Sequence, residues 1–232
     1  MITLTDLRFR WPGAGRDTLD IATLSVPAGQ SVFLHGASGC GKSTLLGVLA
    51  GVLLAGSGQA QVLGQDWAAV PARRRDAFRA DHLGVIFQQF NLLPYLSALD
   101  NVLLPCRFSA RRREQARRAA GSPAEQARAL LNHMGLAPEL WAQSAARLSV
   151  GQQQRVAAAR ALIGSPELIL ADEPTSALDT ALRDSFMALL LDRVRADGST
   201  LVFVSHDERL AGRFDSRLAL PELNRAARGV PA

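Results

Sequence analysis

Alternating hydrophobic and polar residues mark the amino-terminal part of the chain, a pattern typical of β-strands. Pro27-Ala28-Gly29 has the composition of a turn between two such runs, and the apolar stretch that begins at Leu45 suits a buried helix. The pattern predicts strands at Ile2–Phe9, Leu19–Val26, Ser31–His35, Gln59–Leu63 and Val85–Phe87, and a helix at Lys42–Ala50.

A helical pattern rich in arginine and alanine replaces the strands between Ser97 and Leu148. After it, strands and helices alternate again, which predicts an α/β fold: a mostly parallel sheet with helices on both faces, an antiparallel amino-terminal portion and an inserted helical lobe. The predicted elements are helices at Ala124–Met134, Gln152–Ile163 and Thr180–Ala196, and strands at Leu168–Ala171 and Thr200–Ser205. We expect one domain, with an α/β core at 1–94 and 148–220, the lobe at 95–147 and an unassigned tail at 221–232.

Composition narrows the class of protein. The 232 residues, 48% of them hydrophobic, can bury one full core. Two cysteines give neither a disulfide framework nor metal-ligand spacing, which favours a reducing compartment. The amino terminus lacks a secretion signal, and the longest apolar stretch, Leu45–Gly56, is shorter than the ~18 residues of a membrane span. We therefore expect a cytosolic chain that needs other subunits to cross a membrane.

The net charge of +5 is unevenly distributed, with seven arginines and two glutamates between Arg107 and Arg128. The simpler interpretation is a solvated helix face. The alternative is contact with lipid headgroups, where each basic residue contributes ~1 kcal/mol. Both interpretations place these arginines at the surface.

A glycine-rich segment, Gly-Ala-Ser-Gly-Cys-Gly-Lys-Ser, joins the third predicted strand to the first predicted helix. Its glycines let backbone N–H groups point at phosphate oxygens, and the helix amino terminus adds positive charge. Lys42 is predicted to reach the β- and γ-phosphates, and the Ser43 hydroxyl to bind Mg²⁺. A chance glycine-rich turn is disfavoured by the strand and helix around it. The predicted nucleotide-binding residues are Gly36, Ala37, Ser38, Gly39, Cys40, Gly41, Lys42, Ser43 and Thr44.

Two carboxylates follow the apolar strand that begins at Leu168, at the edge where open α/β sheets bind ligands. Asp172 is predicted to hold the metal, directly or through water. Glu173 is predicted to accept a proton from the attacking water, a role that contributes about 10²- to 10⁴-fold to the rate. An ordinary acidic pair is the alternative, which the phosphate loop makes less favourable.

The combination of motifs, including Leu148-Ser149-Val150-Gly151-Gln152, resembles the ATP-binding cassette family from about Ile2 to Leu220. The resemblance implies a P-loop NTPase core that binds ATP and Mg²⁺. Ser176–Asp179 matches the loop that crosses the dimer interface in that family. The elements that match in family order are Trp11, Gly36–Ser43, Gln88, Leu148–Gln152, Leu168–Glu173 and His206.

The resemblance implies roles for three isolated residues, each with a structural alternative. Trp11 would stack on adenine, or it is simply an aromatic packed beside Pro12. Gln88 would lie near Mg²⁺ and the attacking water, or it is a solvated loop amide. His206 would contact the γ-phosphate, or it is structural. Gln88 thus joins Ser43 and Asp172 as an expected metal ligand.

The signature around Ser149 should form an anion site, because a hydroxyl, the Gly151 N–H and a helix amino terminus meet there. In cassette geometry such a site caps ATP held by a second copy, so the resemblance implies a homodimer with two composite sites. Ser149, Gly151, Gln152 and Asp179 are the expected nucleotide contacts. Val150 stands where the family usually has glycine, and its β-branched side chain predicts negative φ.

The resemblance implies an ATP hydrolase whose dimer drives integral membrane permease subunits from the cytoplasmic face of the inner membrane. Phe87–Pro94 and Leu99–Val102 are similar to cassettes of the lipoprotein-release and macrolide-export type. An importer cassette stays open, as does a soluble cassette ATPase acting on nucleic acid or ribosomes. The short spacing between motifs disfavours the soluble class, and no specific nucleic-acid partner is expected. A small-molecule kinase would give no reason for the signature around Ser149.

Overall fold

The computed structural model describes residues 1–176 and 178–226 in two compact units. The first unit is Met1–Arg79 with Val202–Ala232, and the second is Ala80–Leu201. Ala177, in the predicted interface loop, and residues 227–232 of the predicted tail lie outside the described residues.

Strands and α-helices alternate through the described residues. The strands are β1 (Ile2–Phe9), β2 (Leu19–Val26), β3 (Ser31–His35), β4 (Ser57–Val62), β5 (Gln65–Asp66), β6 (Leu83–Ile86), β7 (Leu168–Asp172), β8 (Thr200–Val204) and β9 (Ser216–Ala219). The helices are α1 (Lys42–Leu49), α2 (Ala72–His82), α3 (Ala98–Phe108), α4 (Ala110–Ala120), α5 (Pro123–His133), α6 (Val150–Leu162), α7 (Thr180–Asp197) and α8 (Leu220–Leu223). Short 3₁₀ helices lie at Trp67–Ala69, Pro138–Leu140, Ala145–Arg147 and Glu208–Arg213.

An antiparallel sheet in the order β2-β1-β4-β5 forms part of the first unit. Alternate residues of β1 are buried, beginning with Ile2 and Leu4. The pairing of β1 with β4 shifts between Thr5 and Arg8, and Asp6 there has φ of 46°. Such a bulge inserts one residue, so Leu7 returns to the buried face.

Parallel strands in the order β8-β3-β9 form the rest of the core of the first unit. β3 pairs with β9 in parallel, and the Ser205 N–H beyond β8 donates to the Leu34 carbonyl at 3.2 Å. Phe33 packs against Phe203 and Phe214, with ring centroids 6.5 and 5.4 Å away. Burial on both faces explains the continuous apolar run of β3. The carboxyl end of β3 leads into the glycine-rich loop.

The second unit holds β6 and β7 as a parallel pair and the helices α3 to α7. Each of these five helices begins at a residue whose side-chain oxygen accepts a hydrogen bond from the N–H three residues later. Serine and aspartate are favoured at this position because they satisfy an otherwise unpaired donor. The five capping residues are Ser97, Ser109, Ser122, Ser149 and Asp179.

The predicted α/β class is confirmed, with antiparallel amino-terminal strands, parallel strands and a helical segment. The sequence pattern failed at α2 and β9. None of the α2 residues is fully buried, so an apolar stripe is absent from that helix, and β9 is four residues long. The predicted lobe at 95–147 contains α3 to α5, while the compact second unit is wider; the lobe boundaries stay a prediction.

The arginine-rich stretch differs from both surface interpretations at one residue. Arg112 is only 2% exposed and contacts backbone carbonyls inside the second unit, so its expected place at the surface was wrong. Several neighbouring arginines form ion pairs with carboxylates, three of these pairs within one turn of the same helix, which favours a solvated face over a lipid-binding one. These pairs are Arg107–Asp100, Arg111–Glu167, Arg117–Glu114, Arg118–Glu114 and Arg128–Glu125. Within the described residues, no helix has the length and apolarity to cross a membrane.

Candidate functional site

The glycine-rich loop joins β3 to α1 in the first unit. Gly39 and Gly41 have φ of 78° and 102°, in the left-handed region that glycine adopts most readily. Gly41 begins α1 without a side-chain cap, and Ala37 to Gly39 are exposed. An uncapped helix start behind an exposed loop suits an anionic ligand.

Lys42 folds back over this loop. Its Nζ donates to the carbonyls of Gly36 at 2.9 Å and Ala37 at 3.0 Å, and the residue is 8% exposed. Ser43 in the first turn of α1 is exposed, and Thr44 is half-buried. The structure therefore places a positive charge at the loop and an accessible hydroxyl at the helix start, where the sequence predicted them.

His206 lies beside the beginning of the loop. It follows β8 and is exposed, and it lines a cavity of about 450 Å³ together with Gly36 and Ala37. The structure thus brings His206 and the loop together as predicted. Its role toward a phosphate stays a prediction.

Trp11 follows β1 and is 45% exposed. Its ring packs against that of Phe9 in a T-shaped arrangement, with centroids 5.2 Å apart and planes at 90°. A ring that is nearly half exposed can still stack on a planar ligand, so stacking on adenine stays a prediction.

The two predicted carboxylates lie at the carboxyl end of β7 in the second unit. Asp172 is the last residue of the strand, and Glu173 follows with φ of 43°. Positive φ is uncommon outside glycine and costs on the order of 1–3 kcal/mol. Backbone strain of this kind concentrates at functional sites, which is consistent with a chemical role for Glu173.

Gln88 is exposed in the loop after β6, as predicted. Two residues of this loop, Phe90 and Asn91, have φ of 60° and 49°. Arg160 on α6 donates to both of their carbonyls, at 2.5 Å from Nη2 and 2.6 Å from Nη1. Burial lowers the pKa of the Arg160 guanidinium. Arg160 therefore holds the strained part of the Gln88 loop, a role that sequence reasoning missed.

Asn101 on α3 fixes the far end of the same loop. Its Oδ1 accepts from the Leu93 N–H at 2.8 Å, and its Nδ2 donates to the carbonyls of Leu93, Leu96 and Ser97. The side chain is fully buried. The sequence signals for these two roles were weak. Asn101 is an amide within an apolar helix, and Arg160 is a charged residue within the apolar run of α6.

The signature forms the start of α6. The Ser149 hydroxyl accepts from the Gln152 N–H at 3.3 Å, and the Gln152 Oε1 accepts from the Ser149 N–H at 2.9 Å. This reciprocal pair is a capping box, so the Gln152 side chain already stabilises the helix start. Val150 is the first helical residue and is not among the residues with positive φ, which confirms the predicted negative φ.

Asp179 caps α7 and lies near the signature. Its Oδ1 accepts from the Leu182 N–H at 2.9 Å. Ser149, Gly151 and Gln152 line a cavity of about 500 Å³ together with Asp179. Within the second unit, the structure therefore brings together the four residues predicted to contact the nucleotide of another copy.

The predicted magnesium ligands do not form a protein cluster of their own. Among residues 1–176 and 178–226, no three histidine, cysteine, aspartate or glutamate side chains gather in a way that could hold a metal. The expected set of Ser43, Gln88 and Asp172 contains one such residue, as suits a metal bound largely through substrate phosphates. That ligand set stays a prediction.

Comparisons with known proteins agree with these features. A family model described as ABC transporter matches residues 19–176. The ABC transporter ATP-binding protein YbbA of Escherichia coli K12 is 41% identical over 211 residues, covering 90% of this chain and 89% of YbbA. The lipoprotein-releasing system ATP-binding protein LolD of Novosphingobium aromaticivorans is 40% identical over 225 residues, covering 96% of both chains.

A longer relative and a solved structure complete the comparison. The probable export ATP-binding/permease protein MacB of Pseudomonas entomophila is 41% identical over 221 residues, which are 93% of this chain but 31% of MacB. The dimeric post-hydrolysis state of the ATP-binding cassette MJ0796, bound to ADP and Pi, superposes with a TM-score of 0.81 and 31% identity. That match covers 99% of this chain and 100% of MJ0796.

Proposed function

Because the chain belongs to the ABC transporter family, we propose that two copies of it close on two ATP molecules, hydrolyse them and thereby drive a membrane permease. The likeness to a dimeric cassette bound to ADP and Pi supports both the binding of an adenine nucleotide and a working unit of two chains. The residues of both units can be given roles in such a cycle.

ATP would be held by the first unit of one copy. The exposed loop and the uncapped start of α1 suit the phosphates, and Lys42 supplies positive charge to them. Trp11 would stack on adenine through the exposed part of its ring, and His206 would contact the γ-phosphate from its place beside Gly36.

The observation that carries the two-chain proposal is the start of α6. The Ser149 hydroxyl accepts a hydrogen bond from Gln152, which leaves its own proton to donate to a ligand oxygen. The Gly151 N–H and the helix terminus add to this donor, and Asp179 borders the same cavity. We assign this surface to the γ-phosphate of ATP held by the second copy.

Glu173 is the proposed general base, oriented by its left-handed backbone after β7. It would accept the proton of the water that attacks the γ-phosphate. Ser43, Gln88 and Asp172 would hold Mg²⁺, which neutralises phosphate charge when bound. Arg160 and Asn101 position the Gln88 loop for this purpose.

Replacing Glu173 with glutamine tests the cycle, because it removes the base and keeps the size of the side chain. Phosphate release should fall by about 10²-fold or more. With ATP and Mg²⁺, the variant should elute at twice the 24.8 kDa of one chain, measured by light scattering. The exposed Glu139→Gln is the matched control and should keep normal turnover. A Glu173→Gln variant that binds ATP and stays monomeric would refute the two-chain proposal.

The partner is proposed to be an integral membrane permease, reached from the cytoplasmic face of the inner membrane. Relatives named for lipoprotein release and for macrolide export with a permease support this class. Two aromatic residues that flank the Gln88 loop are exposed, Phe87 by 42% and Tyr95 by 74%, and they form a suitable docking surface beside Gln88.

Capture of partners from detergent-solubilised membranes tests this assignment. Tyr95→Ser should lose the membrane protein and keep ATP turnover, whereas Phe108→Ser should keep both. Phe108 is the matched control because it is 78% exposed but lies at the other end of α3. Recovery of ribosomal proteins or nucleic acid in place of a permease would favour the soluble cassette class instead.

A further inference from the structure

The segment after α8 packs between the start of β2 and the glycine-rich loop in the first unit. Asn224 lies at its centre and is 1% exposed. Its Nδ2 donates to the Thr18 carbonyl at 2.9 Å and to the Cys40 carbonyl at 3.3 Å. Its Oδ1 accepts from the Asp20 N–H at 2.8 Å and the Ala226 N–H at 3.3 Å. The carboxamide thus uses both donors and both acceptor positions, which fixes its orientation.

One of these bonds restrains a peptide of the phosphate loop. The Cys40 carbonyl belongs to the planar peptide that carries the Gly41 N–H, and in a trans peptide the two groups point in opposite directions. Holding the carbonyl toward Asn224 therefore directs the Gly41 N–H away from it. Because Gly41 has φ of 102° at the start of α1, other orientations of this peptide are open to it unless a contact excludes them.

The surroundings leave the Gly41 backbone little space. A Cβ built on Gly41 would lie 3.0 Å from the Leu19 side chain and 3.3 Å from the Thr18 carbonyl. Pro221, within α8 just before this segment, lies against the other end of the loop, where a Cβ on Gly36 would be 3.0 Å from the Pro221 ring. Residues 221–224 therefore border the loop at both ends, and Asn224 supplies the hydrogen bond to it.

We propose that Asn224 is a positioning residue for the phosphate loop, which holds the Cys40–Gly41 peptide in the orientation that binds the phosphates of ATP. The inference rests on the proposed binding of ATP by this loop. It predicts that Asn224 sets the affinity for nucleotide and leaves the rate of the chemical step unchanged, because its described hydrogen bonds go only to the loop, to the start of β2 and to its own segment.

ATP affinity and turnover of Asn224→Ala and Asn224→Asp provide the test. Alanine removes the whole carboxamide without adding charge, whereas aspartate keeps the two acceptor positions, loses both donors and adds a negative charge that faces the Thr18 and Cys40 carbonyls. Each variant should bind ATP about tenfold more weakly, as expected for the loss of a net hydrogen-bonding contribution near 1.4 kcal/mol. The turnover rate at saturating ATP should stay within about twofold of the wild type.

Arg225→Ala is the matched control on the same segment. Arg225 pairs with Asp20 at 2.6 Å on the exposed side and makes no contact with the loop in the described hydrogen bonds. Its loss should leave ATP affinity within about twofold, as for an exposed ion pair. If Arg225→Ala weakened ATP binding as much as Asn224→Ala, the effect would come from general loosening of the segment, and the specific role of Asn224 would be refuted.

The thiol of Cys40 gives a readout that needs no nucleotide. Cys40 is half-buried in the loop whereas Cys106 is buried, so a thiol reagent should report on the loop first. Labelling of Cys40 should be faster in Asn224→Ala than in the wild type, because the restrained peptide is released without a charge being added beside the thiol. Unchanged labelling and unchanged ATP affinity in both Asn224 variants would overturn the inference. A wild-type chain that failed to bind ATP would instead refute the proposed function.

Discussion

Arg112 connects α4 to the carboxyl end of α6 and to β6, so its replacement by alanine should destabilise the second unit. Its Nε donates to the Ile163 carbonyl at 2.7 Å, and its Nη2 to the Ala161 carbonyl at 2.7 Å. Its Nη1 donates to the Leu83 carbonyl at 3.2 Å. Burial lowers the pKa of Arg112 to about 10, so the guanidinium is still charged at neutral pH.

The expected loss follows from these contacts. A hydrogen bond to a charged group contributes about 1.5–3 kcal/mol, and the end of a helix has carbonyls that lack partners within the helix. Burying the guanidinium offsets part of that gain, as the lowered pKa indicates. We expect Arg112→Ala to lower the free energy of unfolding by about 3 kcal/mol, because the buried carbonyls lose their donor and the packing of the side chain is lost as well.

Urea unfolding followed by circular dichroism measures this loss. Arg112→Met keeps much of the packing volume and removes every donor, so it should lose about 2 kcal/mol. Arg113→Ala is the control, because Arg113 is exposed and adjacent, and it should change stability by less than about 0.5 kcal/mol. An Arg112→Ala chain within about 1 kcal/mol of the wild type would refute the assignment of Arg112 as a stabilising helix cap.

Three further outcomes follow from the same structure. Ser149→Ala removes the cap of α6, so urea unfolding should show a free energy of unfolding lower by about 1 kcal/mol, and light scattering should show weaker ATP-dependent dimers. Intact dimers would show that Ser149 caps the helix without contacting the nucleotide. Val150→Gly should keep ATP turnover within about twofold, because Val150 already has helical φ; a large gain in phosphate release would show that the valine obstructs the site. Burial raises the pKa of the Cys106 thiol, so alkylation at neutral pH should modify Cys40 and spare Cys106 until urea unfolds the chain, as read by peptide mass spectrometry.

The local sequence pattern was sufficient to predict those strands whose limits are set by their own residues. β1, β2 and β3 begin and end at the predicted residues, because alternating or continuous apolar runs there are bounded by turn residues. Helix α6 begins at Val150, two residues before the predicted Gln152, because the capping box at Ser149 outweighs the poor helix propensity of Val150 and Gly151. The bulge at Asp6 shifts the pairing of β1 with β4 by one residue without changing the limits of the strand.

Long-range contacts were beyond the sequence pattern. Asn224 contacts residues about two hundred positions away, and nothing near it in the chain indicates that it reaches Cys40. Arg112 looked like one of many surface arginines, yet the carbonyls at the end of α6 draw it into the interior. The positions of the predicted site residues relative to the strands and helices followed from local pattern, because each motif is short and lies near the end of a strand or the start of a helix. Their chemical roles stay predictions.

A structure of the Glu173→Gln variant with ATP and Mg²⁺ would show whether two copies share each nucleotide. We expect two copies and two ATP molecules, with each γ-phosphate contacted by Lys42 of one copy and Ser149 of the other. A structure in which each ATP contacts Lys42 while Ser149 of every copy faces solvent would contradict the two-chain proposal.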